Sequence, residues 1–161
     1  MPTKKILTKK EALDLFNGLN GVGHLKGVKF SYAVAKNMNT LKPEIVALQK
    51  ALEPSKEFFE YEEERIKLAE SFAVKVDGVP QKTLENGRET FVITDKDKFE
   101  TALSTIKEKY KKVMTEREAQ VKAFDSLLEE KITLELVQVS QKELPKDITP
   151  LQLSAIFVMV I

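Results

Sequence analysis

The chain has 161 residues, 42% hydrophobic and 32% charged, and its 26 basic and 25 acidic side chains leave a net charge of +1. That length suits one domain, the charge content suits long solvated helices better than a thick core, and the even balance argues against a nucleic-acid binder, which carries a basic excess. The lack of cysteine excludes disulfides, thiolate metal sites and a thiol nucleophile, and no apolar run reaches the ~20 residues of a membrane span.

The first stretch, MPTKKILTKKEALDLF, lacks the apolar core of a signal peptide. Thr8 and Glu11 form a capping box, with Ala12, Leu15, Phe16 and Leu19 on one helical face behind it. Gly18, Gly21 and Gly23 are expected to end this short helix in a flexible turn. GVGHLKG follows, with a spacing one residue off a dinucleotide loop and a helix, not a strand, before it. His24, the only histidine, has no acidic neighbour to build a metal site or a base–nucleophile pair.

From about Val28, apolar Val34, Met38, Leu41, Ile45, Leu48 and Leu52 are spaced alternately four and three, an a/d seam. Pro43 predicts a kink or restart within it. After Pro54 the stripe changes phase to Phe58, Phe59, Tyr61, Leu68 and Phe72, and a second helical segment over 55–73 fits. The next stretch holds the turn pairs Asp77-Gly78 and Asn86-Gly87 between two short strand candidates. It reads as one β-like tip over 74–94, its loop too long for a tight two-residue turn.

Thr94 and Asp97 are expected to start the longest helix, whose seam of Phe99, Leu103, Ile106, Tyr110, Val113, Val121, Phe124 and Leu128 runs to about Glu130. That is about 35 residues, or roughly 50 Å. KITLELVQVS is a strand, with Ile132, Leu134 and Leu136 on one face. Thr149, Pro150 and Gln152 then open an apolar closing helix.

The expected architecture is mainly α with small β elements (α+β), in a single domain, 1–161. Residues 1–24 give a capped helix and glycine-rich turn. A long antiparallel helical hairpin occupies 28–130 with the β-like tip at 74–94, and 131–161 add a strand and short C-terminal helix at the base. The strand over 131–139 lies too far from the tip to pair with it, and a lone strand is unstable. It pairs either with residues near the base not read as strand or with a second chain. A symmetric dimer using Ile132, Leu134, Leu136, Ile156, Phe157, Met159 and Val160 would also cover the apolar end. The alternative cover is the first helix of the same chain.

Two charge runs, EYEEER (60–65) and KEKYKK (107–112), read as solvated faces that can oppose each other across the hairpin and help set register. Arg117, at a seam position, is expected to pair with Glu62 or Glu63. Loops carry recognition more often than helical stalks, so Gly78, Val79, Gln81, Lys82, Asn86 and Arg88 of the tip are the candidate partner-binding residues. Lys26, Lys29, Phe30 and Tyr32 form the one basic and aromatic cluster that could serve a small ligand.

The order of FSYAVAKNMNTL, YEEERIKLAESFAVKVDG, FVITDKDKFETALSTI, ITLELVQVS and LPKDITPLQLSAIFVMVI resembles a group of small helical proteins encoded by tailed bacteriophages. The chain departs from that pattern in its additional KALEPSKEF stretch and in its ending after FVMVI. The resemblance implies no activity, cofactor or metal. It implies a place in the cytoplasm of an infected bacterium or on the virion. The expectation is therefore a non-enzymatic phage accessory protein, a self-associating assembly factor or minor structural component, with phage structural proteins or a host protein as partners and neither nucleic acid nor membrane. The alternative is a host-directed binder or inhibitor, or a small-molecule sponge, using the tip or the dimer base.

Overall fold

A computed structural model describes residues 2–161. In chain order the elements are β1 (Pro2–Thr8), α1 (Lys9–Val22), α2 (Val28–Ala51), α3 (Lys56–Ser71), β2 (Lys75–Val76), β3 (Val79–Pro80), β4 (Lys82–Glu85), β5 (Arg88–Phe91), α4 (Lys96–Lys109), α5 (Lys111–Leu128), β6 (Lys131–Val137) and α6 (Pro150–Ala155). The protein is thus mainly helical with small antiparallel sheets. It divides into two compact units: the chain up to Glu53 together with Lys122–Ile161, and Pro54–Val121 between them, with one boundary inside α5.

The first unit holds the main core. Thr8 caps α1 as its sequence requires: its hydroxyl accepts from the Glu11 N–H at 3.1 Å, and its own N–H donates to the Glu11 carboxylate at 2.7 Å. Ala12, Leu15, Leu19 and Val22 of α1 are buried against the seam of α2, where Val34, Leu41, Ile45 and Leu48 are buried in turn. That seam therefore packs on α1 and β6, not on a second long helix as a 28–130 hairpin requires. The helix passes through Pro43 without a restart. Proline removes one hydrogen bond there, and residues 42 and 43 face water.

The partner of β6 is β1 of the same chain, antiparallel, with Lys5 opposite Leu134 and Leu7 opposite Ile132. Residues 2–8 were not expected to be strand. Their presence beside β6 removes the lone-strand argument for a dimer. Leu136, Ile156 and Met159, nominated for a second protomer, are fully buried in the chain's own core, while Ile132, Leu134 and Val160 pack partly against it; only Phe157 is largely exposed. The apolar end is covered from within. Only Pro150–Ala155 is α-helix; a 3-10 turn over Phe157–Met159 follows, and Val160 bridges Val139 in parallel. The helix packs on α1, and a Cβ on Gly18 would lie 2.7 Å from the Ala155 carbonyl oxygen. Gly18 and Gly21 sit inside α1 instead of ending it. Gly18 permits close approach, and Gly23 is the cap.

Asn37 of α2 is the one buried polar residue among the described residues. Its side-chain amide accepts from the Val137 N–H at 2.8 Å and donates to the Val137 carbonyl at 3.0 Å. It thus acts as a piece of strand laid along the side of β6 away from β1, supplying the backbone partners that the sheet lacks there.

In the second unit, Ser55 caps α3 and Asp95, not Thr94, caps α4. The long helix expected over 94–130 is interrupted at Tyr110, where the backbone opens to φ −105°, ψ 18°, and α5 begins. The pairing α3–α4 is held by buried Tyr61 and Tyr110, whose rings lie 5.7 Å apart, with Phe58 5.8 Å from Tyr61. The charge runs do oppose each other, as their signs predicted: Lys109 reaches the Glu64 carboxylate at 2.5 Å, and the Tyr110 hydroxyl donates to it at 2.8 Å. Arg117 lies 5.4 Å from the Phe58 ring centre and donates to Gln120, while Arg65 and Lys67 of α3 engage Glu62 and Glu63.

Candidate functional site

Between α3 and α4 the second unit carries four short strands. The sequence suggested one hairpin with a long loop; the structure has two, each with a two-residue turn. Asp77 and Gly78 take φ of 52° and 80° and join β2 to β3; Asn86 and Gly87 take 51° and 75° and join β4 to β5. Positive φ at both central residues defines the turn whose twist matches paired strands, and Asp-Gly and Asn-Gly supply it at least strain. Each dipeptide therefore makes its own hairpin. Their root is fixed by a relay in which the Gln81 N–H donates to the Val74 carbonyl at 2.8 Å and the Val92 N–H donates to the Gln81 carbonyl at 3.0 Å.

The six nominated tip residues thus separate by role. Gly78 and Asn86 build turns, and Gln81 ties the root. Lys82 is committed to Glu89 at 3.3 Å and lies 5.5 Å from the Phe91 ring centre. Val79 and Arg88 stand exposed. Reasoning from the sequence missed Val76 and Leu84, which are 54% and 73% exposed, as Val79 is at 59%. Their signal was the placement of one aliphatic residue among polar ones on each short arm.

Beside the second hairpin lies a groove of about 700 Å³ formed by α3, β4, β5 and the start of α4. Ile66, Phe91, Ile93 and Phe99 give it an apolar floor; Arg65, Lys82 and Lys96 with Glu85, Glu89 and Glu100 give it a mixed-charge rim. Within it the Thr90 hydroxyl is buried without a hydrogen-bond partner. A buried hydroxyl is stabilised by a partner, and the described residues supply none to this one. The volume falls in the range of small-molecule sites.

The glycine-turn cluster does not converge. Phe30 is buried in the core, Lys29 is held by Glu143 at 2.5 Å, Tyr32 points to water, and Lys26 and His24 are exposed in the turn. Among the described residues, no helix is long and apolar enough to cross a membrane. No family model, curated protein or solved structure matches the chain.

Proposed function

We propose that the protein works without catalysis, by binding other proteins through the paired hairpins of Pro54–Val121. It is an assembly factor or minor structural component of the kind that the resemblance to phage-encoded proteins implies. The observation that carries this reading is the exposure of Val76, Val79 and Leu84 on hairpins closed by two-residue turns. Single exposed aliphatics are ordinary; Val76 and Val79 paired on one hairpin, with Leu84 on the next, offer apolar contacts on backbone already fixed by strand pairing.

The test is affinity purification from a phage-infected culture, comparing wild type with the Val76→Thr, Val79→Thr, Leu84→Thr triple variant. Recovery of virion proteins by the wild type and their loss in the folded variant supports the reading; equal recovery by both overturns it. The groove favours a second reading, a host-directed binder or a sponge for a small amphipathic molecule, because of its volume and the unpartnered Thr90 hydroxyl. Capture of one host protein, or a ligand that loses affinity on Thr90→Val, would favour that reading.

A further inference from the structure

The outer edge of β6 is bonded at Val137 and Val139, whereas among the described residues the outer edge of β1 is bonded to no other element between Lys4 and Ile6. The direction of each backbone group follows from four independent contacts. Val137 exchanges hydrogen bonds with Asn37, and the Val139 N–H donates to the Met159 carbonyl, so odd-numbered residues of β6 turn their backbone groups away from β1. The register then turns Thr3, Lys5 and Leu7 toward β6 and Pro2, Lys4 and Ile6 away from it. Two contacts at the end of β1 agree: the Thr8 N–H turns outward to Glu11, and the Lys9 N–H turns inward to the Glu130 carbonyl. The β6 edge is thus covered at Val137 by α2 and continued at Val139 by the C-terminal segment. The N–H and C=O groups of Lys4 and Ile6 have no such cover among the described residues.

An open strand edge is a template for another strand. Ile6 is 70% exposed, and it shares the outer face of the sheet with Lys4, since Lys5 and Leu7 lie on the face toward the core with Leu136. A second copy is a poor occupant. Antiparallel pairing of two β1 edges sets Lys5 against its equivalent when Lys4 is opposite Ile6, and Lys4 against its equivalent when centred there, and like charges facing across strands repel; centring on Ile6 instead sets Lys4 opposite Thr8, whose N–H is already bonded to Glu11. An acidic strand meets the opposite condition.

We propose that the outer edge of β1 accepts an extended segment of a partner protein by strand addition. In the antiparallel sense that segment carries an aliphatic residue opposite Ile6 and an acidic residue two positions later, opposite Lys4. The chain already shows the second match on the other side of β1, where Glu135 stands opposite Lys4. The proposal is independent of the hairpin reading, because it concerns the other unit.

The test uses the full chain and the fluorescein-labelled peptide Thr-Val-Thr-Ile-Glu-Glu-Thr-Val, read by anisotropy and by amide chemical shifts of the labelled protein. Saturable binding that shifts Lys4 and Ile6 is expected. N-methylation of the peptide at Ile and at the second Glu removes the two donors that face the edge and is expected to weaken binding at least about tenfold. N-methylation at the first Glu, whose amide points to water, is expected to leave affinity within about twofold. Lys4→Pro deletes the protein's own donor at a position that uses none internally, and is expected to abolish binding while the unfolding midpoint is kept. Equal sensitivity to both methylation patterns, shifts confined to other residues, or no binding at millimolar peptide overturns the proposal. Hairpin variants are expected to leave this binding unchanged.

Discussion

Replacing Asn37 with leucine tests whether a side chain can stand in for a strand. Asn37→Leu keeps a buried side chain of similar size but removes both bonds to Val137, of 2.8 and 3.0 Å. The Val137 N–H and C=O then face apolar surroundings, and each buried unsatisfied group costs about 1–3 kcal/mol. Burying the leucine side chain returns roughly 1.5–3 kcal/mol. With partial relaxation at this half-buried edge, the net loss comes to about 1–3 kcal/mol. Urea unfolding followed by circular dichroism reads the loss directly, at constant m value. Hydrogen exchange then separates the mechanism from simple destabilisation. The Val137 amide should exchange faster by more than the Leu136 amide, which faces β1. A variant within about 0.5 kcal/mol of wild type, or equal acceleration at both amides, refutes the account.

Gly18→Ala should destabilise the first unit despite alanine's advantage of roughly 1 kcal/mol in a helix, because the new Cβ would meet the Ala155 carbonyl at 2.7 Å; the same change at Gly21, where nothing lies within 4 Å, should stabilise, and thermal melts compare the two. Gly87→Ala places a side chain at φ 75° and should lower stability by about 1 kcal/mol, read as loss of hairpin cross-peaks or a shifted urea midpoint. The Lys109 ammonium, and after it the Tyr110 hydroxyl, hold the Glu64 carboxyl below its ordinary 4.5. The stability this gives is full above about pH 4.5 and fades as pH falls through the folded value, so Glu64→Gln should flatten that part of an acid titration and leave the neutral region's slope unchanged. The Val76, Val79 and Leu84 triple threonine variant should stay within about 0.5 kcal/mol of wild type, because exposed positions contribute little to folding.

Local signals were legible in the sequence because they are satisfied locally. The Thr8–Glu11 and Thr149–Gln152 boxes each close within three residues, and both form. β1 was not legible because Ile6 and Leu7 are adjacent and point to opposite faces, so no alternation marks PTKKILT as strand until β6 lies beside it. The seam of Phe99, Ile106, Tyr110 and Val113 continues through the break between α4 and α5, so periodicity alone gave one long helix. Asn37 is a polar residue beside the α2 seam, and nothing local marks it for burial. Its burial comes from Val137, a hundred positions away. At the candidate site, the two turn dipeptides were visible but were assigned to one loop. The exposed Val76 and Leu84 and the Thr90 groove needed the second hairpin before they could be seen.

The two units are threaded in different ways. Pro54–Val121 is one continuous stretch, whereas the first unit is assembled from segments on both sides of it, with Lys9 joined to Glu130 across 121 residues. During synthesis the inserted unit can therefore form while β1 still waits for β6 to emerge, and the first unit's closure becomes the slow, topologically distant step. Until then β1 is exposed along both edges, and the Asn37 amide has no strand to meet.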